Sequence, residues 1–160
     1  EIKIMAIVSA ICSTFKQELL QGGHNFNTSA QTPAGMAFKL ALYNSATMGA
    51  TTTVYSTSNE TTGTGYTAGG KALVNLGVTG GSSATTAFVD FTDLSGASAW
   101  TSSTFTTEGC LIYNTNITSG FTTDRAVCVV SFGGAKSVSA GTFTIEFPAA
   151  TTGAAIIRLA

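Results

Sequence analysis

The sequence has few charged residues: they make up 9% of its 160 residues, against about 25% in an average globular chain. The formal net charge is −1, and the seven Lys and Arg residues are scattered singly, so no basic patch for a nucleic-acid backbone is present. A hydrophobic fraction of 44% with so small a net charge is typical of a chain that folds. A near-neutral surface also resists association only weakly, which suits a protein that works in an assembly.

The sequence also lacks the closely spaced cysteines of a disulfide framework and the cysteine and histidine ligand set of a zinc site. Cys12, Cys110 and Cys128 are widely spaced, and His24 is the single histidine. Cys110 and Cys128 lie in apolar segments, which favours buried free thiols over a bridge. Free thiols indicate folding in a reducing compartment.

Groups suited to catalysis are scarce. His24 follows two glycines in a polar loop without a serine elbow motif, which favours a surface histidine over a catalytic base. A glycosidase needs two opposed carboxylates, for which the candidates are Glu60, Asp90, Asp93, Glu108, Asp124 and Glu146. Asp90 and Asp93 are close enough to share a calcium ion with loop carbonyls, but solvated carboxylates at strand ends are favoured. We therefore predict a protein without enzymatic activity, cofactor or metal.

Short runs rich in β-branched and aromatic residues, bounded by turn residues, predict a mainly β fold. The two most apolar runs, residues 109–114 (GCLIYN) and 125–132 (RAVCVVSF), carry apolar residues on both parities. They are expected at the centre of a β-sandwich or jelly-roll-like domain. The other predicted strands are residues 36–43, 51–56, 72–79, 86–91, 99–106, 141–147 and 154–159. Eight or nine short strands with regularly spaced turns, including a hairpin-like connection at residues 80–83, support this fold class.

One amphipathic helix is predicted at residues 9–21, with Ser9 as its N-cap and Gly22-Gly23 at its end. Four apolar residues recur at a spacing of four and form one stripe: Ile7, Ile11, Phe15 and Leu19. This stripe packs either on the chain's own sheet or on a neighbouring subunit. We take the same four residues as candidate partner-binding residues.

A glycine-rich loop at residues 60–70 (ETTGTGYTAGG) superficially resembles a nucleotide-binding loop. It lacks the lysine–serine ending and the preceding parallel strand of that motif, so a tight loop with positive φ at its glycines is favoured.

The chain is interpreted as one domain over residues 1–160, with an N-terminal segment at 1–8, the helix at 9–21 and the sandwich at 36–160. Met5 is a candidate natural start, which would make residues 1–4 an upstream extension. The apolar run at residues 4–11 is short for a signal peptide and has no suitable cleavage site, so secretion is not expected. No segment is long enough to span a bilayer.

Several segments together resemble a group of small virion structural proteins of tailed bacteriophages. The matching segments are residues 5–21, 38–43 (FKLALY), 63–70 (GTGYTAGG), 109–114, 125–134, 143–150 (FTIEFPAA) and 156–160. Their order and spacing carry the resemblance, which covers most of the chain from Met5 onward.

The resemblance implies a virion component acting by binding, most simply a capsid decoration (cement) protein that stabilises the head shell. Its implied partners are the major capsid protein and sister copies, as a homotrimer, without nucleic acid or membrane. The implied location is the phage head surface, after assembly in the bacterial cytoplasm. A tail-associated or fibre adhesin that binds the host surface is the alternative, and a secreted lectin is a third interpretation. Fibres more often show repeats or heptads, and neither occurs here.

Overall fold

The computed structural model describes residues 6–28, 30, 35–80, 85–116 and 120–160. In chain order its strands are β1 (Ala10–Ile11), β2 (Phe38–Tyr43), β3 (Lys71–Leu73), β4 (Asn75–Thr79), β5 (Ala87–Phe91), β6 (Trp100–Asn114), β7 (Arg125–Phe143) and β8 (Ile157–Leu159). They form two antiparallel sheets, one in the order β1-β7-β6-β2-β3 and one in the order β4-β5-β8. The predicted mainly β, sandwich-like architecture with a helix near the N-terminus is confirmed.

The helix α1 (Ser13–Leu20) is shorter than predicted. Ile11 belongs to β1, where it pairs with Cys128 of β7, so the ladder replaces the first helical turn. Cys12 takes the N-cap position, but its side chain makes no capping hydrogen bond to the helix. Ser9 Oγ accepts the backbone N–H of Ser131 at 2.9 Å and so does not cap the helix. The predicted start of the helix and its Ser9 cap are therefore wrong.

The C-terminal end of α1 is as predicted. Gly22 adopts φ of 75°, a conformation that glycine reaches without steric cost. Its N–H donates to the carbonyl of Leu19 at 3.1 Å, and the N–H of Gly23 donates to the carbonyl of Glu18 at 2.7 Å. These bonds satisfy carbonyls that the helix itself leaves without donors.

The core lies around the two runs expected at the centre of the fold. Leu111 and Ile112 of β6 and Val127 of β7 are fully buried. β2 is buried along most of its length, on both faces, with Lys39 the one half-buried exception. Its partners are β6 on one side and β3 on the other. This confirms the expectation that the central strands are covered on both sides.

Two strands are much longer than predicted. The runs at 99–106 and 109–114 join into β6, which has 15 residues, and β7 extends over 19 residues. Between the pairs Gly109↔Ser131 and Thr107↔Lys136, β7 contains three more residues than β6. Gly133 and Gly134, with φ of 71° and 133°, lie in this bulge. Such a bulge bends a strand without ending it.

Other boundaries also differ from the prediction. The run at 72–79 is divided at Val74 between β3 and β4, which belong to different sheets. Residues 51–56 form only an isolated bridge, Val54↔Arg125. Of the run at 141–147, only the first three residues belong to β7, and Ile145 makes an isolated bridge. The predicted connection at 80–83 lies outside the described residues beyond Gly80.

Candidate interaction surfaces

The four predicted partner-binding residues do not form one exposed stripe. Phe15 is only 1% exposed, and its ring packs against His24 and Phe26 with centroids 4.8 and 5.9 Å apart. Ile7 and Ile11 precede the helix and are half-buried against the chain's own core. Leu19 is half-buried beside the three-stranded sheet. The helix thus packs on its own fold, and Phe15 is inaccessible to a partner.

An apolar surface lies where Leu19 meets the two edge strands of the three-stranded sheet. Leu19, Val78 of β4, Ala87 of β5 and Leu159 of β8 line a shallow cleft of about 90 Å³ whose whole lining is apolar. Val78 is 53% exposed and Leu159 is 59% exposed. We call these four residues the helix-side patch. Leu20, the last residue of α1, is 91% exposed.

A larger cleft of about 640 Å³ runs along the C-terminal half of β7. Half of its lining residues are half-buried apolar side chains: Val130, Phe132, Val138, Phe143, Ile145, Phe147 and Ile156. Exposed Lys136 and Glu146 also contribute to it. We call this the β7 cleft. In the predicted strand at 141–147, Phe143, Ile145 and Phe147 alternate with exposed residues, and their side chains face this cleft and are only half covered.

The prediction of a surface position for His24 is wrong, because its side chain is buried. The Asn114 side-chain amide donates to His24 Nδ1 at 3.0 Å, and the Asn116 N–H donates to Asn114 Oδ1, which fixes the orientation of that amide. Because His24 Nδ1 accepts this hydrogen bond, it carries no proton and the ring is neutral. The proton is on Nε2, which donates to Glu18 Oε2 at 3.0 Å. Arg125 donates to the other oxygen of Glu18 at 2.6 Å. These bonds connect α1 to the adjoining ends of β6 and β7.

Acid should destabilise the protein through His24. Burial lowers the pKa of His24 from its ordinary value of 6.5; the neighbouring Arg125 adds to this, while Glu18 opposes it. Below pH 6.5 the unfolded chain therefore binds a proton that the folded chain does not bind until its lower pKa is reached. We expect the free energy of unfolding to fall with decreasing pH in this window, by up to about 1.4 kcal/mol per pH unit.

Urea unfolding measured from about pH 7.5 down to about pH 5 tests this expectation. His24→Gln is the matched control, because it keeps a polar side chain but removes the titration. It should be less stable than the wild type at neutral pH and should lose the slope across this window. A wild-type stability that is flat through the same window would contradict the prediction.

Glu60, one of the candidate carboxylates and the first residue of the glycine-rich loop, is buried. Its Oε1 accepts hydrogen bonds from the Tyr66 hydroxyl (2.6 Å) and the Gly69 N–H (2.7 Å), and its Oε2 accepts one from the Tyr55 hydroxyl (2.6 Å). The Tyr113 hydroxyl donates to the Gly69 carbonyl at 2.8 Å. Charge-assisted bonds of this kind stabilise a buried carboxylate without a cation. Glu60 thus anchors the glycine-rich loop. The prediction of positive φ at the glycines of this loop is also confirmed.

Asp90 is also buried rather than solvated. Its Oδ1 accepts the N–H of Phe91 at 2.9 Å, while Oδ2 has no partner among the described residues. Burial, together with the nearby Asp93, raises the pKa of Asp90 above its ordinary value, and backbone N–H groups partly oppose this shift. Asp93 itself accepts the N–H of Phe147 at 2.8 Å. Within the described ranges, no three His, Cys, Asp or Glu residues are grouped as a metal site would require.

The three cysteines are free and buried, as predicted for Cys110 and Cys128. Burial raises the pKa of Cys12 to about 11 and that of Cys110 to about 12, and it raises the pKa of Cys128 well above its ordinary value. Because the thiolate is the nucleophilic form, these thiols are unreactive near neutral pH. They serve as small apolar residues of the core.

Comparisons with known proteins found no matching family model, no matching curated protein and no matching solved structure. In the part of the chain that the structure describes, no helix has both the length and the apolar character needed to cross a membrane.

Proposed function

We propose that this chain is a non-enzymatic structural protein of a tailed-phage virion, and that it acts as a capsid decoration protein which binds and stabilises the head shell. The proposal is supported by the order and spacing of the segments that resemble small phage virion proteins. A sandwich-like β domain with few charges suits a role in which the protein's surface, and not a reactive group, makes the functional contact. The observation that carries the proposal is the helix-side patch.

The helix-side patch has the chemistry of a protein-binding surface. Val78 and Leu159 lie on β4 and β8, the two edges of the three-stranded sheet, and both are more than half exposed. Covering one such side chain contributes up to about 1.5–3 kcal/mol to association. Single exposed apolar residues are ordinary on a protein surface, but here they surround a common apolar cleft. The expected occupant is an apolar element of the major capsid protein.

Binding to shells that lack the protein tests this role. Purified chain is added to such shells, and occupancy is measured by sedimentation followed by quantification of the bound protein. We expect Val78→Asp or Leu159→Asp to lower the affinity roughly 10-fold or more, because a charge would be desolvated in the contact. Val74→Asp is the matched control: Val74 is 66% exposed and does not line the cleft. It should retain wild-type occupancy.

A reconstruction of the virion by electron cryomicroscopy provides the independent check. Density for this chain over the head lattice, with the helix-side patch against the shell, is the expected result. Density on the tail or its fibres would overturn the decoration role and favour the adhesin. Equal occupancy of the wild type and the two patch variants, with all of them folded, would remove the patch from the contact.

A further inference from the structure

The sulfur atom of Met36 accepts two hydrogen bonds. The backbone N–H of Asn25 donates to Met36 Sδ at 3.3 Å, and the Asn114 side-chain amide donates to it at 3.0 Å. In the opposite direction, the Met36 N–H donates to the Asn25 carbonyl at 3.0 Å. Met36 itself is only half-buried, so small solutes can reach its side chain. Its sulfur therefore has a hydrogen-bonding role in addition to its apolar contacts, although a thioether is a weak acceptor.

The Asn114 amide makes this sulfur part of the network around His24. Asn114 is fully buried, and its amide nitrogen has two hydrogens, one donated to His24 Nδ1 and the other to Met36 Sδ. His24 Nε2 donates in turn to Glu18 of α1, which also accepts from Arg125. Met36 thus supplies one acceptor in a chain of bonds that connects α1 to the end of β6.

Oxidation of the sulfur would remove this acceptor. A hydroperoxide transfers one oxygen atom to a thioether: an electron pair of the sulfur forms the S–O bond, the O–O bond breaks, and hydrogen peroxide leaves as water. Both lone pairs of the Met36 sulfur are directed at N–H donors. The new oxygen takes the place of one lone pair and would lie between the sulfur and a nitrogen only 3.0 or 3.3 Å away, which leaves no room for it.

We propose that Met36 is a modification site for hydroperoxides, at which formation of the sulfoxide displaces Asn25 or Asn114 and opens the network that holds His24 and α1. Methionine sulfoxide is reduced back enzymatically, so the change is reversible. Leu19 of the helix-side patch directly follows Glu18, so its position depends on the same network. The inference is independent of the capsid role, because it concerns the isolated chain.

Met48 provides the comparison within the same chain. It is also half-buried and lines a surface cleft, but its sulfur accepts no hydrogen bond among the described residues. The lone pairs of Met48 are therefore open to attack, whereas those of Met36 become open only when its hydrogen bonds break. We expect Met48 to be oxidised several-fold faster than Met36 in the native protein. In the chain unfolded by urea, the two rates should be similar.

Treatment with hydrogen peroxide tests the proposal, with peptide mapping by mass spectrometry to follow each methionine. Thermal unfolding is measured on Met48→Leu before and after treatment, and on Met36→Leu as the matched control; both variants retain Met5. The midpoint of Met48→Leu should fall by about 4 °C or more, because a buried amide hydrogen loses its acceptor. Treatment should change the midpoint of Met36→Leu little. Untreated Met36→Leu should already be less stable than untreated Met48→Leu.

His24 reports on the network directly, because it is the single histidine and its ring resonances can be followed against pH by NMR. Burial lowers the pKa of His24, the nearby Arg125 adds to this, and Glu18 opposes it. Opening of the network by oxidation of Met36 should move this pKa up toward its ordinary value of 6.5. Oxidation of Met48 should leave it unchanged, so this readout separates the network from a general loss of packing.

Equal oxidation rates of Met36 and Met48 in the native chain would show that the lone pairs of Met36 are free, and would overturn the proposal. An unchanged midpoint and an unchanged His24 titration after complete oxidation of Met36 would overturn it equally. If Met36→Leu does not fold, Met48→Leu still decides the question, because its loss of stability must follow the time course of Met36 oxidation and not that of Met5. The measurements use no capsid, and their failure therefore says nothing about shell binding.

Discussion

Gly70→Ala is expected to unfold the protein or to lower its free energy of unfolding by more than about 4 kcal/mol. Gly70 ends the glycine-rich loop with φ of 65°, a conformation that costs other residues about 1–2 kcal/mol. Most of the expected loss is steric. An added Cβ would lie 1.9 Å from the carbonyl oxygen of Leu40 and 2.7 Å from the Cα of Ala41. Both are backbone atoms of the central strand β2, so the strand itself would have to move.

The neighbouring residue provides a matched control. Gly69 has a similar φ of 87°, but an added Cβ there would meet only the ends of the Tyr113 and Lys39 side chains, at 3.5 and 3.7 Å. Gly69→Ala should therefore carry only the conformational cost of about 1–2 kcal/mol. Thermal unfolding separates the two variants, since 1 kcal/mol corresponds to about 2–4 °C in a chain of this size. Equal losses for both would show that close approach to β2 is not what requires Gly70.

Glu60→Ala should lower the free energy of unfolding by about 3–5 kcal/mol. The substitution removes the acceptor of the Tyr55 and Tyr66 hydroxyls and of the Gly69 N–H. The Gly69 N–H is buried and the two hydroxyls are partly buried, and a buried donor left without a partner costs about 1–3 kcal/mol, so the loss should exceed that of an ordinary hydrogen bond. Because these bonds hold the loop that contains Gly70, the loop should also become accessible to proteolysis before global unfolding.

Tyr55→Phe is the comparison for Glu60→Ala. It removes one of the three bonds but leaves the carboxylate with two donors, and it should cost only about 1 kcal/mol. Urea unfolding with a tyrosine fluorescence or circular dichroism readout measures both variants. If Glu60→Ala proved as stable as Tyr55→Phe, the carboxylate would not be the anchor of the loop.

Several differences between the predicted and observed folds have a common cause. The spacing of Ile7, Ile11, Phe15 and Leu19 predicts a helix because residues four apart share a helix face. The same residues also suit a strand, and the ladder of Ile11 with Cys128 takes Ile11 out of the helix. The joining of two predicted runs into β6, and the division of another between β3 and β4, likewise depend on which distant strands are available for pairing. Local periodicity contains no information about those partners.

By itself the sequence determined the fold class, the central strands, the buried free cysteines and the glycine that ends α1, because these depend on composition, side-chain type and local backbone freedom. Only the tertiary structure decided which polar residues are buried and which groups they bind. His24 and Glu60 stand in polar segments typical of exposed loops, yet each is buried with its hydrogen-bonding groups satisfied by residues distant in the chain or by loop tyrosines. The exposed patch at Val78 and Leu159 is likewise a property of the assembled sheet. The solvation of a side chain is set by its neighbours in space, and those are fixed only when the chain has folded.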